Sequence, residues 1–100
     1  NVTGVQTCAL PILIAGSTQT TSFTAAVNTK YVLQMSAACT VTLPASAATG
    51  DIIQVAFSGG YPVTINPNGN KMNGSTSNFL YGIIESTERW VYTGSTRGWV

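Results

Sequence analysis

Thr40-Val41-Thr42-Leu43-Pro44 and Gly50-Asp51-Ile52-Ile53-Gln54-Val55-Ala56-Phe57, residues 40–44 and 50–57, decide the fold. In both stretches apolar and polar residues alternate with a period of two, which sends successive side chains to opposite faces of an extended strand. Val41 and Leu43 share one face of the first stretch, and Ile53, Val55 and Phe57 share one face of the second. Ile52 makes the opposite face partly apolar as well. Pro44 has no N–H to give to a ladder and ends the first strand. The small-residue loop Ala45 to Gly50 connects the two.

The same period extends outward in both directions. Tyr31, Leu33 and Met35 line one face of an upstream strand, with Lys30, Val32 and Gln34 on the other, and a less regular strand is expected at Gln19 to Ala26. Downstream come Val63-Thr64-Ile65, Phe79 to Ile84, and Arg89 to Thr93, where Trp90 and Tyr92 share a face. Gly, Pro or Asn punctuates nearly every gap: Ser58-Gly59-Gly60-Tyr61-Pro62, Asn66-Pro67-Asn68-Gly69-Asn70 and Asn73-Gly74. Paired glycines accept positive φ, and Asn-Gly is the strongest short hairpin dipeptide. Glu85-Ser86-Thr87-Glu88 is expected to turn the last two strands back on each other. No helical period and no fixed repeat interval occurs.

The expectation is an all-β fold, a small antiparallel sandwich or barrel-like sheet of about six to seven short strands. Its core or protomer interface is assigned to Tyr31, Leu33, Val41, Leu43, Ile53, Val55, Phe57, Ile65, Trp90 and Tyr92. Gly50, Asp51, Gly59, Gly60, Asn68, Gly69, Asn73 and Gly74 are assigned to turns.

Composition removes several classes of function. Charged residues are 7% of the 100, against about 25% in an ordinary globular chain, while apolar residues stand at 44%. Polarity comes instead from Ser, Thr and Asn, which suit strands and turns and not disorder. The net charge of +1 rests on Lys30, Lys71, Arg89 and Arg97 against Asp51, Glu85 and Glu88. These scattered cations form no footprint for nucleic acid. Cys8 to Ala15, the longest apolar run, falls short of the about 20 residues a bilayer span needs, so no membrane insertion is expected.

Catalytic sets fail for want of residue types. Without histidine no Ser-His-Asp or Cys-His arrangement can form, and the chain has none. Glu85 and Glu88 read as solvated turn charges, and Asp51 as a turn residue accepting local N–H bonds. No cluster of His, Cys or carboxylates suggests a metal, no Gly-rich loop with its lysine suggests a phosphate, and no cofactor is expected. Cys39, in Ala37-Ala38-Cys39-Thr40-Val41, reads as a small buried hydrophobe. Tyr61, in the glycine turn, is the candidate surface aromatic, able to stack on a sugar.

The order of these pieces carries a resemblance. Tyr31 in a strand, Thr40-Val41-Thr42-Leu43-Pro44, a small-residue loop, Gly50-Asp51-Ile52-Ile53, Thr64-Ile65, Asn73-Gly74 and a closing Trp90-Val91-Tyr92 with Gly98-Trp99 follow in sequence. Over about Thr29 to Val100 this is similar to a β-rich module of bacteriophage tail fibres and other virion appendages. The family's hydrophobic position before its Asn-Gly turn is Met72 here, and the final turn carries Thr96-Arg97-Gly98. The resemblance implies a non-enzymatic virion structural module, part of a tail fibre that contributes to host-surface attachment. It also implies a homo-oligomer, a trimer above all, with a host cell-surface glycan or protein as partner. The alternatives are a capsid decoration protein, and a carbohydrate-binding or adhesin module of a secreted bacterial protein.

Val2-Thr3-Gly4-Val5-Gln6-Thr7-Cys8-Ala9-Leu10-Pro11-Ile12 resembles a sequencing-library adapter translated as protein. The expected organisation is therefore an adapter-derived segment at 1–12, a lead-in with a strand at 13–28, and the β-module at 29–100, the whole being a fragment of a longer protein.

Overall fold

The structure, a computed structural model, describes residues 14–57, 60–82 and 85–100. Val2 to Ile12, Gly59, and Ile83 with Ile84 lie outside the described residues. Among the described residues there are eight strands and no helix: β1 (Ile14–Gln19), β2 (Phe23–Thr24), β3 (Thr29–Leu33), β4 (Cys39–Thr42), β5 (Ile52–Phe57), β6 (Val63–Asn66), β7 (Phe79–Gly82) and β8 (Ser86–Val91). They form two four-stranded sheets, ordered β1-β3-β5-β8 and β2-β4-β6-β7, whose inner faces enclose one hydrophobic core. The chain is an all-β sandwich with one or two more strands than expected.

The sense of pairing departs from the antiparallel expectation. From β1 to β6 the chain changes sheet at every step, so β1, β3 and β5 run parallel, as do β2, β4 and β6. Only the last strand of each sheet, β8 on β5 and β7 on β6, is antiparallel. The physical reason lies in the connections. A parallel pair needs a long crossover, and here the crossover from β3 to β5 is residues 34–51, which contain β4 of the opposite sheet. Alternation reports which side chains face inward, and inward residues are the same whichever way the neighbour runs.

Each two-strand circuit is thus a rung laid on the one before. Thr29 is in register with Ile53 and Cys39 with Val63, so both strands of the central circuit recur after the same 24 residues. The preceding rung is shorter, with Ile14 in register with Thr29 and Phe23 with Val41. This inequality explains the missing period. The lead-in expected at 13–28 contributes β1 and β2, one strand to each sheet, so the described stack begins at Ile14 and not at Thr29.

Register sorts the side chains. Phe23, Val41, Ile65 and Phe79 form one row across the inner side of the second sheet. The outer side carries Thr40, Thr64 and Leu80 in one row, and Thr24, Thr42 and Asn66 in another. Across the outer side of the first sheet run Lys30, Gln54 and Arg89. Tyr31, Leu33, Val41, Leu43, Ile53, Val55, Phe57, Ile65, Trp90 and Tyr92 are all buried, and so are Met72 and Trp99 from outside the strands. Cys39 is a free, buried thiol.

The last two strands do not form the expected hairpin around Glu85 to Glu88. β7 and β8 lie in opposite sheets, and residues 86–88 belong to β8 itself. β-branched Thr87 and the exchange of ladder bonds with β5 favour extension there over a turn. Tyr81 is the extra residue of an irregularity in the β6–β7 pairing, between Leu80 opposite Thr64 and Gly82 opposite Val63.

Two Asn-Gly turns lie back to back between β6 and β7. Asn68 and Gly69 have φ of 58° and 87°, and Asn73 and Gly74 have 50° and 85°. Two consecutive positive φ values are what a type I′ turn requires, and Asn and Gly are the residues that tolerate them. Around the second turn Met72 and Ser75 exchange both backbone hydrogen bonds, at 2.8 and 3.0 Å. Gly50 and Gly60 also have positive φ. Asp51 ties three segments at the entry to β5. Its carboxylate accepts from the Ala48 N–H at 2.8 Å and the Asn28 side-chain amide at 3.3 Å, while Asn28 Oδ1 accepts from the Ile52 N–H at 3.0 Å.

Candidate functional site

Tyr61 follows Gly60, in the crossing from β5 to β6, and its side chain is 43% exposed. No described group forms a recess around it, and no pocket occurs among the described residues. A ligand at Tyr61 would therefore lie against an open surface, using the ring face and nearby backbone groups, as a shallow sugar contact does.

The three carboxylates occupy different settings. Asp51 is committed to the junction before β5, Glu85 is exposed ahead of β8, and Glu88 lies on β8, accepting a 3.1 Å hydrogen bond from the Ser86 hydroxyl. Among the described residues no group of three His, Cys, Asp or Glu could hold a metal ion. Burial pushes the Cys39 thiol above its ordinary range, which lowers the fraction of nucleophilic thiolate at neutral pH. No helix among the described residues is long and apolar enough to cross a membrane.

The late aromatics separate into two groups that close the end of the stack formed by β7 and β8. In the first, Tyr81 stacks on Phe57 with ring centroids 5.1 Å apart, lies 5.8 Å from Trp90 and meets Phe79 edge-on at 5.5 Å. The Trp90 indole N–H donates to the Tyr81 hydroxyl at 3.2 Å. Burial raises the Tyr81 phenol above its ordinary range, the indole bond opposes this, and the Glu88 charge adds to the rise. In the second group, Trp99 meets Tyr92 edge-on at 5.2 Å and its indole nitrogen is buried without a hydrogen-bond partner among the described residues.

These aromatics are therefore mostly structural, and Trp90 and Tyr92 are enclosed in the chain's own core. Among the described residues the exposed large apolar side chains are Tyr61, Phe79, Leu80 and Val100. Phe79 and Leu80 were not assigned to a surface by the sequence, because alternation gives one face of a strand to the core without revealing that the strand is outermost. The chain matches no protein-family model, and comparison with curated proteins finds no match.

Proposed function

We propose that the chain is a non-enzymatic structural module of a phage virion appendage, part of a tail fibre that contributes to host-surface attachment. The observation that carries this reading is the stacking of parallel rungs. A chain that alternates between two sheets builds along one axis by adding rungs, which suits an extended, load-transmitting part. The ordered motifs from Tyr31 to Trp99 support the same reading through their resemblance to appendage modules. Three-fold association of such units would add buried area to a core that is small in one protomer. The low charge keeps like-charge repulsion between neighbours small.

The uninterrupted gene tests this. Sequencing the source DNA across the codons of Val2 to Ile12 with a different library chemistry is expected to replace that run with a long upstream fibre-like region. A secretion signal and catalytic domain upstream would make the chain an accessory binding module instead. A short complete gene among capsid genes would make it a decoration protein.

Host-surface contact is proposed to involve Tyr61. Tyr61→Ala is expected to leave the unfolding free energy within about 0.5 kcal/mol of the parent, as an exposed substitution should, and to abolish glycan or cell binding. Unchanged binding on the same cells or glycan array would remove Tyr61 from the contact.

A further inference from the structure

The two Asn-Gly turns have nearly the same backbone angles, yet the fold restrains them in opposite ways. Asn is a labile side chain, and a following Gly leaves the next backbone nitrogen uncovered and free to approach the carboxamide carbon. At Asn68 the carboxamide is held, being half-buried and donating through Nδ2 to the Leu43 carbonyl at 3.1 Å. At Asn73 the side chain is exposed and makes no hydrogen bond among the described residues, and the space where Gly74 lacks a Cβ is open. The restraint there falls on the nitrogen instead: the Gly74 N–H donates to the Arg97 carbonyl at 2.9 Å.

We propose that Asn73 is a self-modification site, converted to aspartate and isoaspartate when residues 94–100 lift away from its turn. Solvent base takes the Gly74 N–H proton, and the nitrogen attacks Asn73 Cγ. The Cγ–Nδ2 bond breaks, the amide nitrogen leaves as ammonia with a proton from solvent, and a cyclic imide remains. Water then opens the ring at one carbonyl or the other, giving aspartate or isoaspartate. Water is the only co-reactant, and nothing is oxidised or reduced.

The opening that frees Gly74 is local. Residues 94–100 belong to no strand, so their detachment breaks the bonds of Trp99 to Lys71 and Asn73 and of Val100 to Val91 while leaving the ladders of both sheets closed. Freeing Asn68 requires more, because its carboxamide is fastened to fully buried Leu43, whose own N–H donates to Asn66 at the corner joining β4 and β6. Conversion is also one-way. Isoaspartate places an extra carbon in the main chain of a tight turn, so the N–H groups of residues 73 and 74 no longer align with the carbonyls of Trp99 and Arg97. The altered chain keeps its last segment undocked and the outer edge of β8 at Val91 uncovered.

Peptide mapping by mass spectrometry, after incubation at mildly alkaline pH in water enriched in heavy oxygen, measures the two sites in one sample. In denaturing urea Asn68 and Asn73 are expected to convert at similar rates, and in the folded parent Asn73 is expected to convert faster than Asn68. Thr93→Val removes the 2.8 Å bond from the Thr93 hydroxyl to the Gly98 carbonyl. It is expected to speed Asn73 about two- to tenfold, the worth of one hydrogen bond, with Asn68 unchanged. Gly98→Ala is expected to speed Asn73 further. Folded parent in which Asn68 converts as fast as Asn73 overturns the proposal, as does an Asn73 rate that Thr93→Val leaves unaltered. Equal acceleration of both sites by Thr93→Val overturns it too, by assigning the reaction to unfolding of the whole chain.

Discussion

Trp99→Ala is expected to lower the unfolding free energy by about 3–5 kcal/mol, the range for deleting a fully buried large aromatic. For a domain with about 5–15 kcal/mol in total, that leaves a marginal fold. Trp99 is fully buried although it is the penultimate residue. Its backbone N–H donates to the Lys71 carbonyl and its carbonyl accepts from the Asn73 N–H, both at 2.8 Å, while its ring meets Tyr92. Trp99 therefore ties the second Asn-Gly turn through its backbone and packs on Tyr92 through its ring. Trp99→Phe is expected to cost much less, since it keeps an aromatic body and removes an indole N–H that has no partner among the described residues. Urea titration followed by circular dichroism would measure both. A loss below about 1 kcal/mol for the alanine variant, the scale of a surface change, would place Trp99 outside the core.

Gly98→Ala is expected to be comparably severe despite adding one methyl group. Gly98 has a φ of +73°, and a Cβ built there would overlap the carbonyl oxygen and carbon of Lys71 and come within 2.9 Å of its Cα. The left-handed conformation alone costs a residue with a Cβ about 1–2 kcal/mol. The overlap comes in addition, and it cannot be relieved by turning a side chain because the obstacle is backbone. Moving Lys71 away would break its bond to Trp99, so the two substitutions attack one junction from opposite sides. Gly69→Ala is the matched control. Gly69 has a φ of +87° with nothing near its missing Cβ, so only the conformational cost applies. Equal losses at the two glycines, measured as thermal midpoints, would remove the collision with Lys71 from the account.

The sequence made the inside of this fold more legible than its wiring. Val41, Leu43, Ile53, Val55 and Ile65 declare themselves by alternation, because the core demands apolar side chains at every second strand position. Met72 and Trp99 escape that signal. Each stands beside a turn, Lys71-Met72-Asn73 and Arg97-Gly98-Trp99, with no alternating neighbours, and each is buried by long-range packing. Pairing sense was hidden for a different reason. Whether Val41 lies beside a parallel or antiparallel Ile65 changes the backbone bonds and not the side chains required. The exposed position of Tyr61 agrees with its place among turn residues, whereas the open edge at Leu80 depends on where β7 falls in the sheet order, which no local pattern records.

The unequal rungs have a consequence for how such a chain can change. Register is kept between Thr29 and Ile53 and between Cys39 and Val63, while the chain between consecutive strands ranges from the short link at 20–22 to the long one at 67–78. Length is absorbed at the corners, where Asn68 and Asn70 donate amide hydrogen bonds to the carbonyls of Leu43, Pro44 and Ala45 and fasten one corner to the next. Insertions at a corner leave the ladder and the buried rows untouched. The fold thus separates a constrained spine from an editable rim, and diversity can accumulate on the rim without renegotiating the interior.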